Sequence, residues 1–108
     1  MLPESNIMNT KITLIIDNPA DPDAFEAAYP SIRDAAAALP GLLRYEAGKV
    51  FPKEDGSPTP AHRTLDLYFS DYDTASLAVV SELAATLFTG LSNANGSFTG
   101  LFSEVQTA

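Results

Sequence analysis

The residues able to do chemistry are few, and the ones missing narrow the field first. The chain carries a single histidine, His62, and no cysteine. That excludes disulfides, thiolate nucleophiles, iron–sulfur clusters, zinc–thiolate centres and any metal site built on two histidines. What is left is acid–base and hydrogen-bonding chemistry. Asp66 sits in T-L-D-L-Y-F between two leucines, where a carboxylate is either paired or kept for function. Desolvated, it would act as a base removing a proton next to a carbonyl; paired with Lys11, Arg44 or Lys49, it would be a structural ion. His62 opens the same strand, and alternation puts it on the side of Asp66 and Tyr68, as a partly exposed strand residue or as a lining of the same cavity. Tyr29, Tyr45 and Tyr68 supply apolar area or a phenolic donor to a carbonyl. Arg33 would grip a carboxylate or enolate with its fork, or pair with Asp34 or Glu26. The catalytic candidates are therefore Asp66, Tyr29, Arg33 and His62, with Phe25, Tyr45 and Tyr68 as substrate contacts.

No other chemistry has support. The aspartates of D-N-P-A-D-P-D (Asp17, Asp21 and Asp23) lack the glycine and terminal glutamate of a calcium loop and read as capping residues, so no metal is expected. There is no phosphate-cradling glycine loop, no Gly-x-Ser-x-Gly elbow and no dinucleotide fingerprint. His62 lies on an element unsuited to an axial haem ligand, and no tightly bound cofactor is expected.

The elements that must position these groups follow from periodicity. Residues 1–9 read as a flexible tail and residues 10–106 as one domain. T-K-I-T-L-I-I-D, rich in β-branched residues, is the first strand. Asp21 then caps a helix with Pro22 at its first turn and Asp23 favourable to the dipole. Phe25, Ala28, Tyr29, Ile32, Ala36 and Leu39 recur at steps of three and four, and this phase runs straight through Pro30, which predicts a kinked or two-part helix with one apolar face. Leu39-Pro40-Gly41 stops it. L-L-R-Y-E-A-G-K-V-F alternates as a second strand, and a loop holding three prolines and a glycine leads to the third, H-R-T-L-D-L-Y-F. Ser70-Asp71-Tyr72-Asp73 resembles a capping box opening a second helix through about residue 88, with Tyr72, Ala75, Val79, Leu83 and Leu87 as its core face. S-F-T-G-L-F-S-E-V closes the chain as a fourth strand.

Composition bounds the partners. The 108 residues suit one domain with a real core. Fourteen acidic against six basic residues give a formal net charge of −8 with no basic cluster, so nucleic acid and anionic membrane surfaces are excluded as partners. Without an apolar run long enough to span a bilayer, and without the segments of a signal peptide, a cytoplasmic protein is expected.

The order strand, helix, strand, strand, helix, strand is the split β-α-β pattern: an α+β, ferredoxin-like subunit with a four-stranded antiparallel sheet and both helices on one face. The bare face would expose Ile15, Tyr45, Phe51, Tyr68 or their neighbours, an apolar patch that a second copy would bury, which predicts a homodimer through the sheet faces. Phe25 with Tyr29 four residues on, L-P-G-L-L-R-Y, the Gly-Ser-Pro loop running into L-D-L-Y-F-S-D-Y, and G-S-F-T-G-L-F-S-E-V together resemble the EthD family, named for ethyl tert-butyl ether degradation. The resemblance implies a dimeric α+β barrel that handles a small hydrophobic, oxygen-bearing compound and assists its oxidation or isomerisation. It also implies an accessory role in an oxidative degradation pathway. A non-catalytic ligand-binding role is the alternative, because the family's helix histidine, four residues after the tyrosine, is Arg33 here.

Overall fold

Alternating β-branched residues build the first strand as the pattern requires. In the computed structural model, which describes residues 8–106, the order is β1 (Thr10–Ile16), α1 (Pro22–Ala37), β2 (Arg44–Lys49), β3 (Arg63–Phe69), α2 (Tyr72–Ala78), α3 (Glu82–Asn93) and β4 (Phe98–Glu104). The strands form one antiparallel sheet in the order β2-β3-β1-β4. This is the expected ferredoxin-like α+β subunit. Of the expected tail, residues 1–7 lie outside the described residues; Asn9 is tied to the end of β4, its carbonyl accepting from the Val105 amide at 2.6 Å.

Register assigns the two faces. Ile12 lies opposite Leu67 and Phe102, and Leu14 opposite Leu65 and Gly100, so these positions share one side with Ile16, Phe69, Tyr45 and Ala47. The helices cover that side. Ile12, Leu14, Ile16, Leu65, Leu67 and Phe69 are buried there against Phe25, Tyr29, Ile32, Leu87 and Leu91, each fully buried apolar side chain contributing about 1.5–3 kcal/mol. The helix layer does not reach over the outer strand β2, so Tyr45 and Ala47 face inward yet are exposed.

The other face carries Lys11, Thr13, Ile15, Arg44, Glu46, Thr64, Asp66, Tyr68 and Leu101. It is more polar than the sequence led one to expect. Ile15, Tyr68 and Leu101 are its large apolar residues, whereas Tyr45 belongs to the helix side and the exposed Phe51 lies beyond the end of β2.

The first helix begins as expected, with Asp21 accepting from the Ala24 amide at 3.1 Å. It is one helix with Pro30 inside it, not two. Pro30 is exposed, so the donor missing from the turn above Glu26 lies on the solvent side. The helix ends at its C-cap Ala38, short of the expected stop; Gly41 instead serves the turn from Leu39 to Leu42 with φ +78°, where a Cβ would strike the Thr74 side chain. The second expected helix is the one that breaks: α2 and α3 meet at 63°, and Ser81 caps α3 by accepting from the Ala84 amide at 3.2 Å. The break rotates the apolar stripe, so Ala75, Ala78, Ala84, Leu87 and Leu91 are buried while Tyr72 and Leu83 are exposed. The first cap is also Asp71 rather than Ser70, accepting from the Thr74 amide at 2.8 Å. No single helix among the described residues is long and apolar enough to cross a membrane.

Candidate functional site

The sheet separates the expected site residues into two groups. Tyr29, Phe25 and His62 meet on the helix side; Asp66 and Tyr68 lie on the open face. Alternation fails at His62 because that residue precedes the ladder, which starts at Arg63, and its ring turns toward α1. There Nε2 lies 2.9 Å from Glu26 Oε2, and the ring meets Phe25 edge-on with centroids 5.4 Å apart.

Glu26 is the centre of the helix-side group. Arg63 grips it in a fork, Nε donating to Oε2 at 2.8 Å and Nη2 to Oε1 at 2.5 Å, and Lys49 Nζ stands 3.6 Å from Oε1. The helix α1 is thereby tied to both β2 and β3. The bond from Arg63 is the largest cause of a Glu26 pKa lowered to about 2, with His62 and Lys49 adding to it against the effect of burial. The same bond raises the pKa of Arg63. An ionised carboxylate only accepts, so His62 donates from Nε2, and in its neutral form Nδ1 is the basic nitrogen.

Tyr29 completes the group. The Arg63 guanidinium lies over its ring, 4.0 Å from the centroid, a cation–π contact rather than a bond to the phenol. The buried Tyr29 hydroxyl has no hydrogen-bond partner among the described residues. Burial raises its pKa, with Arg63 opposing, so the group is a neutral donor at ordinary pH. An orphaned buried donor costs about 1–3 kcal/mol, which asks for an explanation. Arg33, one turn further along α1, pairs with Asp34 at 3.9 Å and is partly exposed. Tyr45 is exposed on the uncovered inner side of β2, two positions from Ala47 and four from Lys49 on the same face.

The open-face group has different partners. Thr13 Oγ1 donates to Asp66 at 2.5 Å, and Lys11 Nζ is 4.0 Å away, so Asp66 is paired as its mid-strand position demands. The Tyr68 hydroxyl donates to Glu46 at 2.8 Å, a bond that raises the Tyr68 pKa and, together with Arg44, lowers that of Glu46. The catalytic set expected from sequence therefore does not converge: Asp66 is cut off from Tyr29 and His62 by the sheet itself.

Glu26 and Arg63 are the members that sequence reasoning missed. Glu26 stands one residue from Phe25 on the helix, and Arg63 follows His62 at the mouth of β3; their pairing spans 37 positions and has no local signature. Among the described residues no group of three or more metal-binding side chains gathers.

No protein-family model matches the chain. An uncharacterized 11.0 kDa protein from the thcB-thcC intergenic region of Rhodococcus erythropolis is 31% identical over 99 residues, covering 90% of this chain and 95% of that one. An EthD family protein of Bacillus halodurans superposes with a TM-score of 0.81 over 92% of this chain and 100% of its own, at 16% identity. SnoaB of Streptomyces nogalater, a cofactor-independent oxygenase, gives 0.67 over 94% and 96% at 14% identity. A dimeric ferredoxin-like protein of unknown function from Thermobifida fusca gives 0.71 over 93% of both chains at 13% identity. The chain therefore shares the ferredoxin-like fold of the EthD family protein and its dimeric neighbours, and it belongs to one family with the Rhodococcus protein.

Proposed function

We propose that the protein binds a small, hydrophobic, oxygen-bearing organic molecule where α1 meets β2 and β3, and assists its isomerisation or oxidation without a tightly held cofactor. The observation that carries this reading is the buried Tyr29 hydroxyl with no partner, beside a guanidinium held in place by Glu26. Such a donor is idle in the free protein and useful to a carbonyl oxygen. Tyr29 would donate to that oxygen, Arg63 would stabilise negative charge developing on it, and His62 Nδ1 would accept the proton from the adjacent carbon. Glu26 is then a positioning residue that fixes the His62 tautomer and the Arg63 fork. Isomerisation returns the proton to another carbon; oxidation delivers the same enolate to dioxygen. The likeness to a cofactor-independent oxygenase supports this chemistry by fold analogy. The histidine that the resemblance places on the first helix is replaced by Arg33, and His62 brings an imidazole to that helix from the start of β3. A homodimer through the open sheet faces would cover Ile15, Tyr68 and Leu101, and the Thermobifida fusca neighbour is dimeric.

The non-catalytic alternative has its own observation: Glu26 is engaged by two cationic side chains and an imidazole, as in a structural clamp. Tyr29→Phe tests the reading, because it removes only the hydroxyl. With 1-acetonaphthone as a neutral apolar ketone, affinity should fall about tenfold, the worth of one buried hydrogen bond, while thermal stability is unchanged or higher. Equal ketone affinity in both proteins would refute the assigned role of the phenol.

A further inference from the structure

We infer that the ligand of this site is an anion, carrying a carboxylate or an ionised enolate or phenolate oxygen, which enters past Arg33 and Lys49 and rests against Arg63 and the Tyr29 hydroxyl. The inference rests on the proposed site and adds the charge class of its ligand. The chain has six basic residues against fourteen acidic ones. Three of the six, Arg33, Lys49 and Arg63, gather with the one histidine around Tyr29 and Glu26. Arg33 joins them because it stands four positions from Tyr29 on one helix face. The carboxylates set against these three cations are Glu26 and Asp34, so the group carries a positive balance in an acidic protein.

The cations are graded from solvent inward. The side chains of Lys49 and Arg33 are 59% and 43% exposed, that of Arg63 is 16%, and Tyr29 as a whole is 4%. Exposed cations at a rim steer an anion that the rest of this surface repels. Deeper in, Arg63 spends Nε and Nη2 on Glu26, and its Nη1 carries two further N–H donors. Tyr29 adds an O–H donor with nothing to bond. A cluster of donors under a positive balance matches an oxyanion better than a neutral carbonyl, since charge-assisted bonds are about twice as strong.

Two probes of nearly one shape separate the cases: 1-naphthoate and the neutral 1-acetonaphthone, titrated by calorimetry at low salt. Naphthoate should bind about tenfold tighter, and Lys49→Gln should weaken naphthoate about threefold to tenfold and the ketone by clearly less. Equal affinities, or tighter ketone binding that Tyr29→Phe still weakens, would overturn the anion and leave the proposed site standing. No saturable binding of either probe, or binding of both that is insensitive to Tyr29→Phe, would overturn the anion and the site together.

Discussion

Glu26 and Asp66 are two carboxylates of nearly equal exposure, 28% and 27%, on opposite sides of one sheet. Their surroundings differ far more than their exposure. Glu26 is gripped by a guanidinium fork, an imidazole and an ammonium, and ties a helix to two strands. Asp66 accepts from one threonine, with a lysine at 4.0 Å, and joins strands that backbone bonds already hold together. Partners, not depth, make one of them a centre of structure and charge. The larger apolar side chains follow the same division, Phe25 wholly buried beside Glu26 and Leu101 exposed on the face of Asp66.

The comparison breaks most severely at the core beneath the Glu26 group. Phe25→Ala should cost about 3–5 kcal/mol in chemical denaturation, since a filled site becomes a cavity, whereas Leu101→Ala at low protein concentration should cost less than about 1 kcal/mol. If Leu101→Ala proved as costly as Phe25→Ala, a second copy would be covering the open face under those conditions.

Glu26→Gln comes next. It leaves Arg63 and Lys49 without their anion, and after allowance for solvent screening should cost about 1–2 kcal/mol, read as a melting temperature lower by about 4–8 °C. The effect has a pH signature. The Glu26 pKa is depressed from 4.5 to about 2 in the folded chain, so its contribution is present above 4.5 and is lost as pH falls toward 2. Wild-type stability should drop across that window, and the gap between it and Glu26→Gln should narrow toward pH 2 and close below it. A gap that stays constant with pH would mean the carboxylate's charge is not what matters.

Asp66→Asn should be the mildest, below about 1 kcal/mol, because the amide oxygen still accepts from Thr13 and the partly exposed Lys11 pair is weak. A loss larger than that of Glu26→Gln would reverse the ranking of the two carboxylates.

The element order and the ferredoxin-like architecture were legible in sequence, and side-chain pairings across it were not. Asp21 and Pro22 marked the start of α1 through a cap that depends on neighbours only, whereas its end is Ala38 rather than the expected Gly41. The apolar phase through Pro30 gave the one buried face of α1, while the helix itself stays in one piece where two were allowed for. The break between α2 and α3 was overlooked although Val79-Val80-Ser81-Glu82 carries a usable sign: a β-branched pair followed by an N-cap and an acidic first turn. The site was only half legible. Tyr29, Phe25 and His62 were named, but strand alternation assigned His62 to the wrong face because it stands one residue outside the ladder. Glu26 and Arg63 become partners only when α1 folds over β3, and no spacing rule links residues 37 apart.

The central claim is that the ligand site lies on the helix side, at Tyr29, and not on the open face at Asp66. The direct measurement is the affinity of 1-acetonaphthone for Tyr29→Phe and Asp66→Asn side by side with the wild type. A loss of about tenfold in Tyr29→Phe with wild-type affinity in Asp66→Asn is the predicted result. Weakened binding in Asp66→Asn with none in Tyr29→Phe would contradict it and move the site across the sheet.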